Sequence, residues 1–196
     1  MRYIGIDPGA SGGLVLLNCK GYPLEWAAMP SAERETFQAG AKKGKKKKAS
    51  DEARAEAETE LWQLLHRWAY ESTVRHGDGK PNIKAAIERV RASRQMSKPS
   101  IWTFAQGVGT LRGFLIAAGI PFEEVAPQKW QKFIGVRDKT GARDLEDVNI
   151  TEKKNRHKEK AASLFPMLSV THKIADALLI AEYARRLGEG FGAELS

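Results

Sequence analysis

The chain predicts an α/β fold: a mixed five-stranded sheet, three antiparallel strands followed by parallel ones, flanked by helices. Two observations carry this. Residues 2–28 hold three short apolar runs separated by Gly- and Pro-containing turns, the pattern of an antiparallel meander. Beyond residue 50, segments with helical apolar spacing alternate with two short apolar runs. A helical connection of that kind returns the chain parallel to the sheet it left.

The elements follow in order. Strands are expected at 2–7, 13–19 and 23–28, joined by Asp7-Pro8-Gly9 and by Lys20-Gly21-Tyr22-Pro23. Residues 30–50 are rich in Ala, Gly, Lys and Glu without an apolar period. They read as a basic, flexible insertion in a single domain spanning 1–190, with 191–196 as a tail. A helix over about 51–74 places Leu61, Leu64, Leu65, Trp68 and Ala69 on one face, with Ser50 and Asp51 as its cap. His76-Gly77-Asp78-Gly79-Lys80-Pro81 ends it, and the strand Ile83-Lys84-Ala85-Ala86-Ile87 runs onto Glu88. A helix over about 100–118 carries Gly107, Gly109 and Gly113, which predicts close packing of one face on a neighbour. A strand at 121–126, a short helix from Pro127 to Ile134 and a charged loop over 135–152 come next. Helices at about 153–164 and 172–187 close the order.

With 196 residues, 42% hydrophobic and 29% charged, the composition is that of one globular domain able to bury a core. Lys and Arg number 32 against 24 Asp and Glu, and the net charge of +8 points to a polyanionic partner. Part of that excess sits in the run Lys42-Lys43-Gly44-Lys45-Lys46-Lys47-Lys48. The single Cys19 excludes an intrachain disulfide and a Cys-based zinc site, and fits a reducing compartment. No secretory apolar region and no bilayer-length apolar run is present, so a cytoplasmic protein without membrane contact is expected. The absence of Gly-x-x-x-x-Gly-Lys-Ser/Thr argues against P-loop nucleotide hydrolysis. The chain is also short for the paired domains of sugar-kinase-like or actin-like proteins.

Three acidic residues carry the chemistry. Asp7 ends the first strand among Pro8, Gly9, Gly12 and Gly13, where it is either a turn cap or a metal ligand. Glu88 ends the strand expected beside it. In the last helix the core stripe is Ile174, Ala177, Leu178 and Ala181, and Asp176 lies off that stripe beside Leu179, Ile180 and Tyr183. His172 sits one turn earlier on the same face as Asp176. Each has a plain structural reading: a turn residue, a strand-end charge, a dipole complement, a helix-start histidine. Together they favour an active site. A carboxylate among apolar neighbours is costly without compensation, and divalent cations held by two strand ends and a helix would supply it. Such cations activate water and stabilise a phosphate leaving group.

Ile4-Gly5-Ile6-Asp7-Pro8-Gly9, Ile87-Glu88 and His172-x-x-Ala-Asp176-Ala-Leu-Leu-Ile-Ala resemble the RuvC-type Holliday junction resolvases of the RNase H-like superfamily. The likeness is nearest to the bacteriophage and plastid branch, which Met96-Ser97-Lys98-Pro99-Ser100 with Gly107-x-Gly109 and Val125-Ala126-Pro127-x-x-Trp130 also resemble. It spans most of the chain outside residues 30–55. The resemblance implies an RNase H-like fold with the first strand mid-sheet and the Glu88 strand parallel beside it. It further implies a homodimer in a bacterial or phage-infected cell, and paired nicking of four-way junctions with Mg²⁺ (Mn²⁺ an alternative). Asp7, Glu88 and Asp176 would be the metal-binding carboxylates. One departure stands out: the position three before the last acid, commonly an acid or His in bacterial RuvC, is Lys173 here. His172, four before, is the expected fourth catalytic and metal-binding group.

Arg89, Arg91, Arg94 and Lys98 follow Glu88 closely, and Lys129 precedes Trp130, so these five are the expected DNA phosphate contacts. Trp130 itself reads as a packing anchor. Lys42–Lys48 is either a tether to phosphate or a solvated loop. Two other functions remain open on the sequence: a YqgF-like RNA-processing nuclease of the same fold, and a non-catalytic branched-DNA binding module.

Overall fold

Tyr3, Ile4 and Ile6 are all buried, so both faces of β1 (Arg2–Asp7) are covered and the strand must lie inside a sheet. In the computed structural model, which describes residues 1–9, 11–30, 50–77, 79–90, 97–136 and 150–190, it does. The sheet also contains β2 (Gly13–Asn18), β3 (Pro23–Ala28), β4 (Ile83–Glu88) and β5 (Phe122–Val125). Their order is β3-β2-β1-β4-β5. β1/β2 and β2/β3 pair antiparallel, while β1/β4 and β4/β5 pair parallel, as the order of apolar runs predicts. Asp7 pairs with Gly13, and Ile6 with Ile87, so Asp7 and Glu88 end neighbouring strands at the same edge.

Helices cover both faces of the sheet. On one face Tyr3, Val15, Leu17 and Ala86 pack with residues of α3 (Pro127–Ile134), α4 (Ile150–Leu164) and α5 (His172–Gly188). On the other, Ile4, Ile6, Leu14, Leu16 and Ile83 pack with α1 (Asp51–His76) and α2 (Lys98–Ala117). From Ile174 to Ala184 every residue of α5 except Asp176 is buried. Gly5 explains how so central a helix fits. A Cβ there would collide with the backbone of Ala177 and Ala181, so helix and strand lie backbone against backbone.

The Ser50 side chain accepts a hydrogen bond from the Ala53 backbone N–H at 3.2 Å, and Gly77 in the left-handed region closes α1 two residues beyond the expected end. Two expectations need correction. α4 begins at Ile150, inside the stretch read as loop, because a polar, lysine-rich turn has no apolar period to reveal it. The glycines of α2 do not seat a neighbour: a Cβ at Gly107, Gly109 or Gly113 would meet nothing within 4 Å among the described residues. Most of the expected insertion (residues 31–49, including Lys42–Lys48), residues 137–149 and the tail 191–196 lie outside the described residues. Among the described residues no helix is long and apolar enough to cross a membrane.

Candidate active site

At the end of β1, Asp7 serves its own turn with one carboxylate oxygen: Oδ1 accepts the Gly9 backbone N–H at 3.0 Å. The turn closes with Gly12 N–H donating to the Gly9 carbonyl at 2.8 Å. Gly12 also leaves room for the acid, since a Cβ there would lie 2.6 Å from Asp7 Cγ and 2.8 Å from Oδ2. Turn cap and free acid are therefore not exclusive readings of Asp7. One oxygen caps, and the other has no hydrogen-bond partner among the described residues.

Glu88 pairs with Val125 in the β4/β5 ladder, and α3 begins two residues after Val125, with Pro127 opening its first turn. That short connection carries Trp130 to Glu88, whose Oε1 accepts the indole N–H at 3.1 Å. Asp176 projects from the second turn of α5, and its Oδ1 lies 2.7 Å from Nδ1 of His157 on α4. His157 is buried, its ring meeting Trp130 edge to face with centroids 5.4 Å apart. The sequence reading missed this histidine. It lies among charged residues, and its one signal is a position one turn before Ala161 on the buried side of α4. His172, by contrast, is the exposed first residue of α5, with no hydrogen bond or ion pair among the described residues.

Asp7 and Glu88 both respond to neighbouring acidic charge. Burial raises Asp7 above the ordinary carboxylate range; the Gly9 hydrogen bond opposes this and the charge of Asp176 adds to it. Burial, then repulsion from Asp7, pushes Glu88 up to about 7, with a smaller contribution from Asp176 and the Trp130 hydrogen bond working against it. Lys154 lowers Asp7 and Lys153 lowers Glu88, so the exposed first turns of α4 bring positive charge near the acids. These two lysines were not among the expected phosphate contacts.

Among the described residues no three His, Cys, Asp or Glu side chains are gathered closely enough to make a ready-formed cation cage. The donors nonetheless suit a hard cation. All three are carboxylates, each uses one oxygen in the protein, and each second oxygen has no hydrogen-bond partner among the described residues.

The expected phosphate contacts divide. Arg89 is exposed but engaged with Glu124, through its backbone carbonyl at 3.2 Å and its carboxylate at 3.8 Å. Lys98 opens α2 and is exposed. Lys129 is exposed on α3, close enough to Tyr183 that its charge favours the phenolate, against the larger opposing effect of burial. Arg91 and Arg94 lie outside the described residues. Glu182, buried in α5, is bound by Arg185 at 2.7 Å and Arg186 at 2.7 Å and serves the packing of that helix.

No protein-family model and no curated protein matches the chain. Solved structures similar to it include two of RuvC. Thermus thermophilus RuvC in complex with a Holliday junction substrate is 17% identical, with 97% of each chain covered and a TM-score of 0.60. A second Thermus thermophilus RuvC structure is 18% identical over 97% of each chain, with a TM-score of 0.53. The fold is RuvC-like. The mixed five-stranded sheet with flanking helices is thus the RNase H-like architecture that RuvC also has, and at this identity the likeness concerns the fold alone.

Proposed function

We propose that this chain is a divalent-metal-dependent endonuclease that resolves four-way DNA junctions by paired nicks, as a homodimer of the RuvC type. The observation that carries the reading is the convergence of three acids from two adjacent strand ends and α5, with the charge of Asp176 raising both Asp7 and Glu88. In this reading Asp7, Glu88 and Asp176 hold Mg²⁺, or Mn²⁺ in its place. When bound, the cations lower the pKa of attacking water and stabilise the departing phosphate oxygen.

The chain's own residues do the rest. The Gly9 N–H orients Asp7, and Gly12 keeps space open beside it. Lys153 and Lys154 draw the phosphate backbone toward the acids, with Lys98 and Lys129 extending the basic surface. His172, exposed one turn before Asp176, assists from the solvent side, and the His-x-x-Ala-acid pattern it begins supports placement with the phage and plastid branch.

A strand-labelled four-way junction, a matched duplex and an RNA hairpin, each incubated with and without Mg²⁺, test the proposal. Symmetric nicks in the junction alone, and only with the cation, are expected. Absence of junction cleavage with either Mg²⁺ or Mn²⁺ would overturn it, and preferential cutting of the hairpin would move the chain to RNA processing.

A further inference from the structure

Two buried aromatic rings spend their polar atoms on two of the three acids. Trp130 is 0% exposed and donates its indole N–H to Glu88 Oε1 at 3.1 Å. His157 is 4% exposed and places Nδ1 at 2.7 Å from Asp176 Oδ1. Toward an ionised carboxylate, which offers only lone pairs, His157 can act only as the donor, through the Nδ1–H tautomer. The rings pack on each other edge to face at 5.4 Å, which ties the two hydrogen bonds into one block. Packing alone would be served by Phe or Leu at both positions. A buried N–H left without an acceptor is costly, so each ring is held to its carboxylate and each carboxylate to its ring.

The fold makes the block rigid. Trp130 follows β5 by one helical turn, and β5 is hydrogen-bonded to β4 through Val125 and Glu88. His157 rides on α4, which packs against α5, the helix bearing Asp176. The two rings therefore span from the sheet to the last helix. We propose that Trp130 and His157 form an aromatic bracket fixing the orientation and separation of the Glu88 and Asp176 carboxylates, and through them the affinity for a divalent cation. Both are positioning residues. The proposal rests on the reading that Asp7, Glu88 and Asp176 hold that cation.

The test uses the full chain with Mn²⁺ alone, binding being read directly from the free-Mn²⁺ electron paramagnetic resonance signal, with thermal melting of the metal-free protein alongside. Trp130→Phe and His157→Phe each keep a ring and delete the donor. Each is expected to weaken Mn²⁺ binding by about 10–100-fold, the usual cost of losing a group that orients a metal ligand. His157→Asn, whose side-chain amide can donate from near the Nδ1 position, should recover much of the loss, which a merely space-filling role does not predict. Mn²⁺ affinity within twofold of wild type in both Phe variants would overturn the bracket. If His157→Phe fails to fold, Trp130→Phe decides, since it removes the indole ring and its N–H but keeps an aromatic in place. Wild-type protein and Asp7→Asn binding Mn²⁺ equally would instead remove the cation reading itself, and the bracket with it.

Discussion

Glu88 shows most directly what it costs to bury one acid beside others. Burial and the charge of Asp7 raise it from 4.5 to about 7, so the folded protein holds this proton more tightly than the unfolded chain does. Its contribution to stability is therefore fully present below pH 4.5 and is lost as pH rises through about 7. Thermal melting of metal-free protein should fall between pH 5 and pH 8, Glu88→Gln should flatten that fall, and Mg²⁺ should restore the wild type at pH 8. Identical melting profiles for wild type and Glu88→Gln would contradict the assignment. At this scale the three acids were legible because each interrupts or ends an apolar segment, where a charge needs a reason. His157 was not, since its burial arises only when α4 docks against Trp130 and α5. A histidine among lysines and glutamates gives no local sign of that contact.

Among the elements, α5 makes the most demanding fit. Gly5 admits the helix backbone at Ala177 and Ala181, and no side-chain rearrangement can make room for a Cβ against main chain. Gly5→Ala should destabilise the protein by about 1–3 kcal/mol or more, as overpacking does, measured as a drop in the denaturation midpoint with unchanged slope. A wild-type midpoint would mean that β1 and α5 sit farther apart. α4 makes a different prediction, because its first turns carry exposed Lys153 and Lys154 near the acids. Changing both to Ala should weaken binding to all DNA shapes alike and reduce the salt slope by about 0.9 per lost phosphate contact on duplex. An unchanged slope would place the phosphate backbone elsewhere. Strands and amphipathic helices were legible from period and turn residues, which act locally. The start of α4 and the open glycine face of α2 were not, because both depend on which neighbour arrives.

For the whole molecule, the parallel and antiparallel pairings could be read from the alternation of strands and helices, while the mid-sheet place of β1 came from the family resemblance. Assembly could not, because nothing in the composition distinguishes an exposed apolar residue from an interface. The proposed homodimer supplies the second set of acids that paired nicks require, and two-fold association is the commonest form of oligomer. α2 is its proposed surface, presenting Trp102 at 67% and Ile116 at 68% exposure. Sedimentation at micromolar concentration should give a dimer that Trp102→Glu shifts toward monomer; a wild-type monomer even with junction bound would contradict this. Asp7, Glu88 and Asp176 are proposed to make one hydrolytic site. The most direct test is Mg²⁺-dependent nicking of a labelled four-way junction by Asp7→Asn, Glu88→Gln and Asp176→Asn, with junction binding measured in parallel. Loss of nicking in all three with binding retained is expected, whereas wild-type nicking by any one of them would rule out a shared site.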